Sequence, residues 1–310
     1  MLKIDKQNEN IAFNEESHVY FDVTDTKKKY ISVTTMIEKF GQPFDKDFWS
    51  SYKALEKLLP AVEWAIEKKS LLNSKKFNKE LLELHNISED DFNREQQAIL
   101  DSWQAENKKS CERGTAIHAN LENSFYRKKK NIDLAKYQVG GKFECVKDKI
   151  ELDLENGIYP EYLISWDSPS GKLHVAGQID VIAKKGNSIC LLDWKSNKKI
   201  DLKGFYDSRT KKTTKMKFPL NTLDECNYSH YNLQLSTYAY MLTQKHPEFI
   251  IEDLVLVHFD HNDNMTVYHL PYLKIKFAAT SFNKSFFRFF RFFHSFRIYI
   301  GISITYILFF

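Results

Sequence analysis

Apolar and polar residues alternate on both sides of Gly186-Asn187. A Gly-Asn pair between two alternating runs is typical of the tight turn of a β-hairpin, where positive φ is required. If these two residues form the turn, counting outwards places Asp180 opposite Asp193, on one face of the sheet. Lys195, two residues beyond Asp193, projects from the same face. The pattern therefore predicts a hairpin that brings two carboxylates and an ammonium together.

The hydrophobic period changes between strand and helix on either side of this hairpin. Residues 159–165 alternate, and further strands are expected at 253–259 and 265–270. Residues 113–127 and 231–243 have the spacing of amphipathic helices. Three antiparallel strands between helices favour an α/β fold, in which a mixed central β-sheet is flanked by helices.

The same patterns divide the chain into regions. Residues 1–44 contain β-like runs at 18–22 and 29–33 and then a short helix, and are assigned to the core as an N-terminal β-hairpin and helix. Residues 45–110 have helical spacing throughout and are interpreted as an α-helical insert. Residues 111–275 form the remainder of the core.

The last segment, residues 276–310, differs from the rest in composition. Residues 277–310 hold eleven of the 24 phenylalanines. The longest run without charge, Ile298 to Phe310, is thirteen residues, which is too short to span a bilayer, so no stable membrane insertion is expected. The segment is interpreted as a disordered or artefactual extension, with a membrane-surface or partner-binding role as the alternative.

The formal charge of +4 comes from this segment. No acidic residue follows Asp263, and residues 276–310 contain five Lys or Arg; without them the chain has 40 basic and 41 acidic residues. Any affinity for nucleic acid must therefore come from local patches. The basic stretch from Lys198 to Lys217 is such a patch, with aromatic residues available for stacking on bases: Phe205, Tyr206 and Phe218.

Cysteine usage and the N-terminal composition bear on the compartment. The four cysteines are widely spaced, with no C-x-x-C, and are interpreted as reduced thiols. The first thirty residues have neither an apolar run nor the acid-poor composition of a transit peptide. A cytoplasmic location is therefore expected.

The opposed carboxylates indicate a particular chemistry. Asp180 and Asp193 would repel each other unless a cation lay between them, and Mg²⁺ or Mn²⁺ is satisfied by one or two carboxylates together with a substrate phosphate. Lys195 beside the ion could orient or deprotonate the attacking water, or stabilise charge on the phosphate. This set of groups predicts phosphodiester hydrolysis. The alternative is a salt-bridged surface strand with no ion.

At this point the sequence resembles a known family, the PD-(D/E)XK nuclease superfamily. Asp180 followed by Asp193-Trp194-Lys195 on the next strand matches its signature. Flanking motifs resemble the RecB-like branch, with an arrangement similar to phage exonucleases and the mitochondrial genome maintenance exonuclease. These are Ser32-Val33-Thr34, the G-T-x-x-H of Gly114 to His118, and the Q-x-x-x-Y of Gln234 and Tyr238.

The resemblance implies a restriction-endonuclease-like core and assigns roles to residues. It implies Mg²⁺ or Mn²⁺ as cofactor, Lys195 as the residue that acts on the water, and Gln234 and Tyr238 near the active site and the DNA backbone. Cys111 and Cys226 lack the neighbours of an iron-sulfur cluster, so none is expected. The implied metal ligands are His118, Asp180, Asp193, the backbone carbonyl of Trp194 and, as in some relatives, Glu161.

The function implied by the resemblance is a metal-dependent deoxyribonuclease, an exonuclease acting on single-stranded or frayed DNA ends. A structure-specific endonuclease and a non-cleaving DNA-binding module on the same fold are the alternatives. Single-stranded DNA is the expected partner, with recombination or replication proteins as further partners. A phage enzyme working in the bacterial host cytoplasm fits the missing transit peptide. Glu122, one turn from His118, is interpreted as a solvated helix residue.

Overall fold

The computed structural model describes residues 3–25, 27–127, 132–133, 142–143, 156–208 and 210–273. Contacts divide the chain into two compact units, the first formed by residues 1–42 with 121–310 and the second by residues 43–120. The Phe-rich segment 276–310 lies outside the described residues. None of the helices in the described part has the length and apolar character needed to cross a bilayer.

Thirteen strands and six helices occur among the described residues. The strands are β1 (Lys6–Asn8), β2 (Ile11–Asn14), β3 (Val19–Asp22), β4 (Ile31–Ser32), β5 (Ile132–Asp133), β6 (Lys142–Phe143), β7 (Gly157–Asp167), β8 (His174–Lys185), β9 (Ser188–Lys195), β10 (Tyr206–Asp207), β11 (Lys212–Thr213), β12 (Ile250–Phe259) and β13 (Met265–His269). The helices are α1 (Val33–Glu38), α2 (Lys46–Leu58), α3 (Ala61–Ser74), α4 (Glu80–Leu84), α5 (Glu89–Arg127) and α6 (Asn227–Lys245).

A six-stranded sheet forms the centre of the first unit. Its strands follow the order β13-β12-β9-β8-β4, and β7 pairs with β8. The strands β7, β8 and β9 are antiparallel, β12 runs parallel to β9, and β13 is antiparallel to β12. The predicted mixed central sheet flanked by helices is confirmed.

Side chains on the two faces of this sheet form separate hydrophobic clusters. Leu191 of β9 is buried in one cluster with Leu233 of α6. The next residue, Leu192, joins the other cluster with Val255 of β12, against which Leu121 of α5 packs. Successive strand residues point to opposite faces, so β9 and β12 are buried on both sides and read as almost continuous apolar runs.

The N-terminal strands differ from the expected hairpin. The run 18–22 was expected to pair with 29–33, but β3 pairs with β2 along its whole length, and β4 pairs in parallel with β8. A single bridge, Phe21 to Lys29, joins the two runs among the described residues. The physical reason is burial: Ile11 and Phe13 of β2 form a hydrophobic cluster with Leu163 of β7, against which Tyr20 of β3 packs, whereas Val33 is buried in the main core.

The second unit consists of α2, α3, α4 and the first part of α5. Its core is a cluster that contains Phe48, Leu55, Leu71 and Phe92. Phe77 stacks on Phe92 with 4.8 Å between ring centroids. The helix α5 continues without a break to Arg127, so its last residues belong to the first unit.

The turn after β3 is organised by the carboxylate of Asp22. Asp22 Oδ1 accepts hydrogen bonds from the backbone N–H groups of Thr24 at 2.9 Å and Asp25 at 3.1 Å, and Lys28 Nζ lies 3.5 Å from Oδ2. Burial by itself raises the pKa of a carboxylic acid, but these hydrogen bonds and the Lys28 charge outweigh it and lower the pKa of Asp22 to about 2.

The substitution Asp22→Asn should therefore reduce stability at neutral pH and flatten its dependence on acid. A carboxylate whose pKa is depressed by folding contributes stability above its unfolded pKa of 3.8, and this contribution is lost as the pH falls towards 2. The shift corresponds to about 2 kcal/mol at most. Urea unfolding at pH 7, 4 and 2.5 measures it, with Asp25→Asn in the same turn as the control. An unchanged pH dependence in Asp22→Asn would contradict the assignment.

Candidate metal centre

The β8-β9 hairpin has the predicted turn. Gly186 adopts φ +59°, and Lys185 pairs with Ser188 across it. The register continues in step to the pair Val181 and Leu192, where regular pairing ends. The next position outwards is that of Asp180 and Asp193, which were predicted to lie opposite each other and fall just beyond the regular pairing.

Asp193 is a buried carboxylate with two partners. Its side chain is 2% exposed, Oδ1 accepts a hydrogen bond from Gln234 Nε2 at 3.1 Å, and Oδ2 lies 2.7 Å from Lys195 Nζ. A buried carboxylate is costly unless it is paired and hydrogen-bonded. Lys195 and Gln234 together compensate the charge of Asp193, so the structure brings together three of the predicted site residues.

The Lys195 ammonium lies between the acids and an aromatic ring. Its Nζ is 4.9 Å from the centroid of the Tyr231 ring. Burial by itself lowers the pKa of Lys195, but the attraction of Asp193 and Asp180 is stronger and raises the pKa above its usual value. Lys195 therefore carries its proton at neutral pH and acts here as a cation.

Asp180 is directed towards the backbone of β9. Its Oδ2 accepts a hydrogen bond from the N–H of Trp194 at 2.8 Å. The Trp194 side chain is buried in the hydrophobic cluster with Val181 and Val257, which fixes that part of the backbone. The Asp180 carboxylate is thus oriented by the strand that carries Asp193 and Lys195.

The strand β7 is irregular at Glu161, directly across from Asp180. Pro160 pairs with Val181 and Tyr162 with Ile179, but the position between them is not paired. Glu161 adopts φ +51°, in the left-handed region, which costs a residue other than glycine about 1 to 2 kcal/mol. Backbone strain of this kind concentrates at functional sites.

Two side chains of the first unit form a group with the chemistry of a metal site. Glu161 and Asp180 each offer one carboxylate oxygen, and these two atoms lie within 4.8 Å of each other. Carboxylate oxygens suit a divalent cation such as Mn²⁺ or Mg²⁺. These two residues could therefore hold a metal ion. The carboxylate of Asp193 contacts Lys195 and Gln234, and His118, the predicted histidine ligand, lies on α5 within the second unit.

Lys6 of β1 is a neighbour of this group that sequence patterns did not predict. Its Nζ lies 3.5 Å from Glu161 Oε2, 4.0 Å from Glu122 Oε2 and 3.7 Å from Glu15 Oε1. Glu122, interpreted from sequence as solvated, is in fact partly buried and paired with Lys6. No local signal could have found this contact, because it joins residues more than a hundred positions apart.

One face of α6 carries the remaining predicted residues. Tyr238 is buried against Gly177 of β8, where a Cβ would lie 2.5 Å from the tyrosine ring, so only glycine permits this approach. Burial, reinforced by the charges of Asp193 and Asp180, raises the pKa of Tyr238, which keeps its hydroxyl neutral. Tyr231 lies on the same face, three residues before Gln234, and that spacing is the signal that could have found it.

Comparisons with known proteins add little to this description. No family model and no curated protein matches the chain. The crystal structure of SSO0001 is similar over 43% of this chain and 46% of its own, with 15% identity and a TM-score of 0.23, so this chain spans less than half of that protein. The crystal structure of a putative exonuclease from Eubacterium rectale is similar over 78% of this chain and 73% of its own, with 12% identity and a TM-score of 0.26. The chemistry of the site therefore rests on its own geometry.

The substitution Asp180→Asn should weaken the binding of Mn²⁺ at least tenfold, about 1.4 kcal/mol, because it removes one anionic ligand. Isothermal titration calorimetry with Mn²⁺ measures the affinity directly. Asp253→Asn, on β12 and paired with His269, is the control and should bind as the unmodified protein does. Equal affinity in Asp180→Asn and the control would exclude Asp180 as a ligand.

Proposed function

We propose that this protein is a metal-dependent nuclease that hydrolyses phosphodiester bonds in DNA. One observation carries the proposal: the ion pair of buried Asp193 with Lys195 at the end of β9 lies next to Asp180, which also belongs to the group that could hold a metal ion. A salt-bridged surface strand would explain an exposed pair. It does not explain why the Asp193 carboxylate is only 2% exposed, or why the glutamate directly across from Asp180, on β7, has a strained backbone.

The first group of residues would hold the metal ion. Asp180 and Glu161 are the proposed ligands, with His118, Asp193 and the carbonyl of Trp194 as the further ligands that the family resemblance implies. A bound Mg²⁺ or Mn²⁺ would supply a water of lowered pKa and a Lewis acid for a phosphate oxygen.

The remaining groups act through the protein alone. The Lys195 ammonium lies where it can stabilise negative charge on the reacting phosphate and orient the water. Gln234 holds Asp193 through its amide, and the neutral Tyr238 packs behind them against Gly177.

The order of the motifs supports the RecB-like branch of the PD-(D/E)XK superfamily. The G-T-x-x-H motif ending at His118 precedes the hairpin, and the Q-x-x-x-Y motif on α6 follows it. The contact between Gln234 and Asp193 gives the second motif a physical role. Exonuclease action on single-stranded or frayed ends is the finer proposal, and the resemblance alone supports it, as it does a role in phage recombination or replication.

The variants Asp193→Asn and Lys195→Ala should each lower DNA cleavage at least a hundredfold, about 2.7 kcal/mol in the barrier, because each removes a charge from the reacting centre. Cleavage of a fluorescent oligonucleotide with Mg²⁺ measures the rate, and DNA affinity should persist in both variants. The control is Lys185→Ala, at the exposed turn of the same hairpin. Full metal-dependent activity in both variants would overturn the proposed function.

A circular single strand separates exonuclease from endonuclease. We expect an end-labelled linear strand to be degraded with Mg²⁺ while a circle of the same sequence stays intact, because an exonuclease requires a free end. Denaturing gel electrophoresis resolves the products. Linear products from the circle would replace the exonuclease proposal with the endonuclease alternative, and the metal-dependent chemistry would still stand.

A further inference from the structure

Three aromatic side chains after the β9 strand are exposed to solvent. Phe205, Tyr206 and Phe218 are 71%, 57% and 60% exposed. We call them, together with the exposed lysines between Lys198 and Lys217, the aromatic-lysine surface. Single exposed apolar side chains are common in proteins, but several in one short segment indicate a binding surface.

The backbone beneath these rings is held by hydrogen bonds. Thr214 N donates to Phe205 O at 2.8 Å, and Glu225 N donates to Thr214 O at 2.9 Å. The segment 212–216 has a partner on each side. Strand β11 at its start pairs with β10, and Lys215 forms an antiparallel bridge with Asp224. Residues 205–207, 212–216 and 223–225 therefore lie side by side in a small antiparallel layer. The sequence alone indicated only an irregular stretch here.

The layer is also attached to the core of the first unit. Met216 and Leu220 are buried in the main hydrophobic cluster, and Lys217 N donates to Phe40 O at 2.7 Å. Gly204 lies so close to the layer that a Cβ would be 2.2 Å from Thr214 O. The segment thus buries some apolar side chains while it holds the three rings in solvent. Their exposure is a property of the fold.

Phe205 and Tyr206 are adjacent where the β10-β11 hairpin begins. Tyr206 pairs with Thr213 across the hairpin, and Phe205 O, just before it, accepts a hydrogen bond from Thr214 N. Both rings are exposed. Exposed rings on adjacent residues can contact the bases of a flexible strand.

The charge of the surface favours an anionic partner. Seven lysines between Lys198 and Lys217 are exposed, and Asp201 and Asp207 are the acids among the described residues of that range. Lys199 pairs with Asp201 at 2.7 Å, and Lys215 pairs with Asp224. A lysine excess remains around the rings. Lysines that contact phosphates and rings that stack on bases are the combination by which proteins bind single strands.

We propose that the aromatic-lysine surface binds single-stranded DNA and delivers it to the site at the end of β9. The inference rests on the proposed function, because it names the strand that the nuclease would act on. The surface begins three residues after Lys195, and the backbone between them is fixed where the His258 ring contacts Asn197 O at 2.6 Å. Duplex DNA, with its bases stacked on each other, offers no free base faces to these rings.

The test measures binding of the full chain to a fluorescein-labelled twenty-nucleotide thymidine oligomer by anisotropy, in EDTA so that no cleavage occurs. The triple variant Phe205→Ala/Tyr206→Ala/Phe218→Ala should bind at least tenfold more weakly than the unmodified chain. Ile250→Ala removes a 60% exposed side chain from β12 and is the control, with unchanged affinity. The variant Lys211→Ala/Lys212→Ala should reduce the salt dependence of binding.

A second measurement separates this proposal from the proposed function. Hydrolysis of bis-p-nitrophenyl phosphate with Mn²⁺ needs no DNA surface, so the triple variant should retain the rate of the unmodified chain. If the triple variant lost DNA binding and neither it nor the unmodified chain hydrolysed the ester, the binding proposal would be supported and the proposed nuclease function would be rejected. If the triple variant hydrolysed the ester normally and bound DNA with unchanged affinity, the proposal that this surface binds DNA would be wrong. Equal losses of affinity for single-stranded and duplex DNA would contradict its preference for single strands.

Discussion

The buried carboxylate of Asp193 ties together the elements on which the candidate site depends. Its charge would be costly in the core without the Lys195 ammonium at 2.7 Å and the Gln234 amide at 3.1 Å. Because Gln234 belongs to α6, these contacts join the end of β9 to the helix that covers one face of the sheet. Tyr238, one turn further along α6, fits against Gly177 of β8 and completes the connection. The same interaction therefore positions the chemistry and holds the helix in place.

A second constraint lies where β8 changes the face to which its side chains point. Ile179 and Ile182 are buried in the same cluster, although residues three apart on a regular strand face opposite ways. The alternation is interrupted between them, next to Asp180 and across from the left-handed Glu161. This irregularity aims the two carboxylates at one place. The strain at Glu161 is offset by the long regular pairing of β7 with β8 on either side.

Much of the central architecture could be predicted from local patterns. The Gly186 turn, the strands β7, β8, β9, β12 and β13, and the helix that carries Gln234 and Tyr238 follow from alternation, helical spacing and turn chemistry, all of which act over a few residues. The N-terminal pairing could not be predicted, because β2 packs on β7 and the run 29–33 pairs with β8, and both contacts join segments far apart in the chain.

The candidate site divides in the same way. The sequence by itself determined that Asp180, Asp193 and Lys195 share one end of a hairpin, since a two-residue turn sets the register of the pairs as far as Val181 and Leu192, directly before the two aspartates. Only the tertiary structure decided that Asp193 is engaged by Gln234, that Lys6 lies between Glu122 and Glu161, and that Phe205 and Tyr206 stand exposed on a fixed layer with Phe218 exposed just beyond it. Each of these depends on contacts between distant segments. Such contacts are chosen by the packing of the whole core, and no local pattern encodes them.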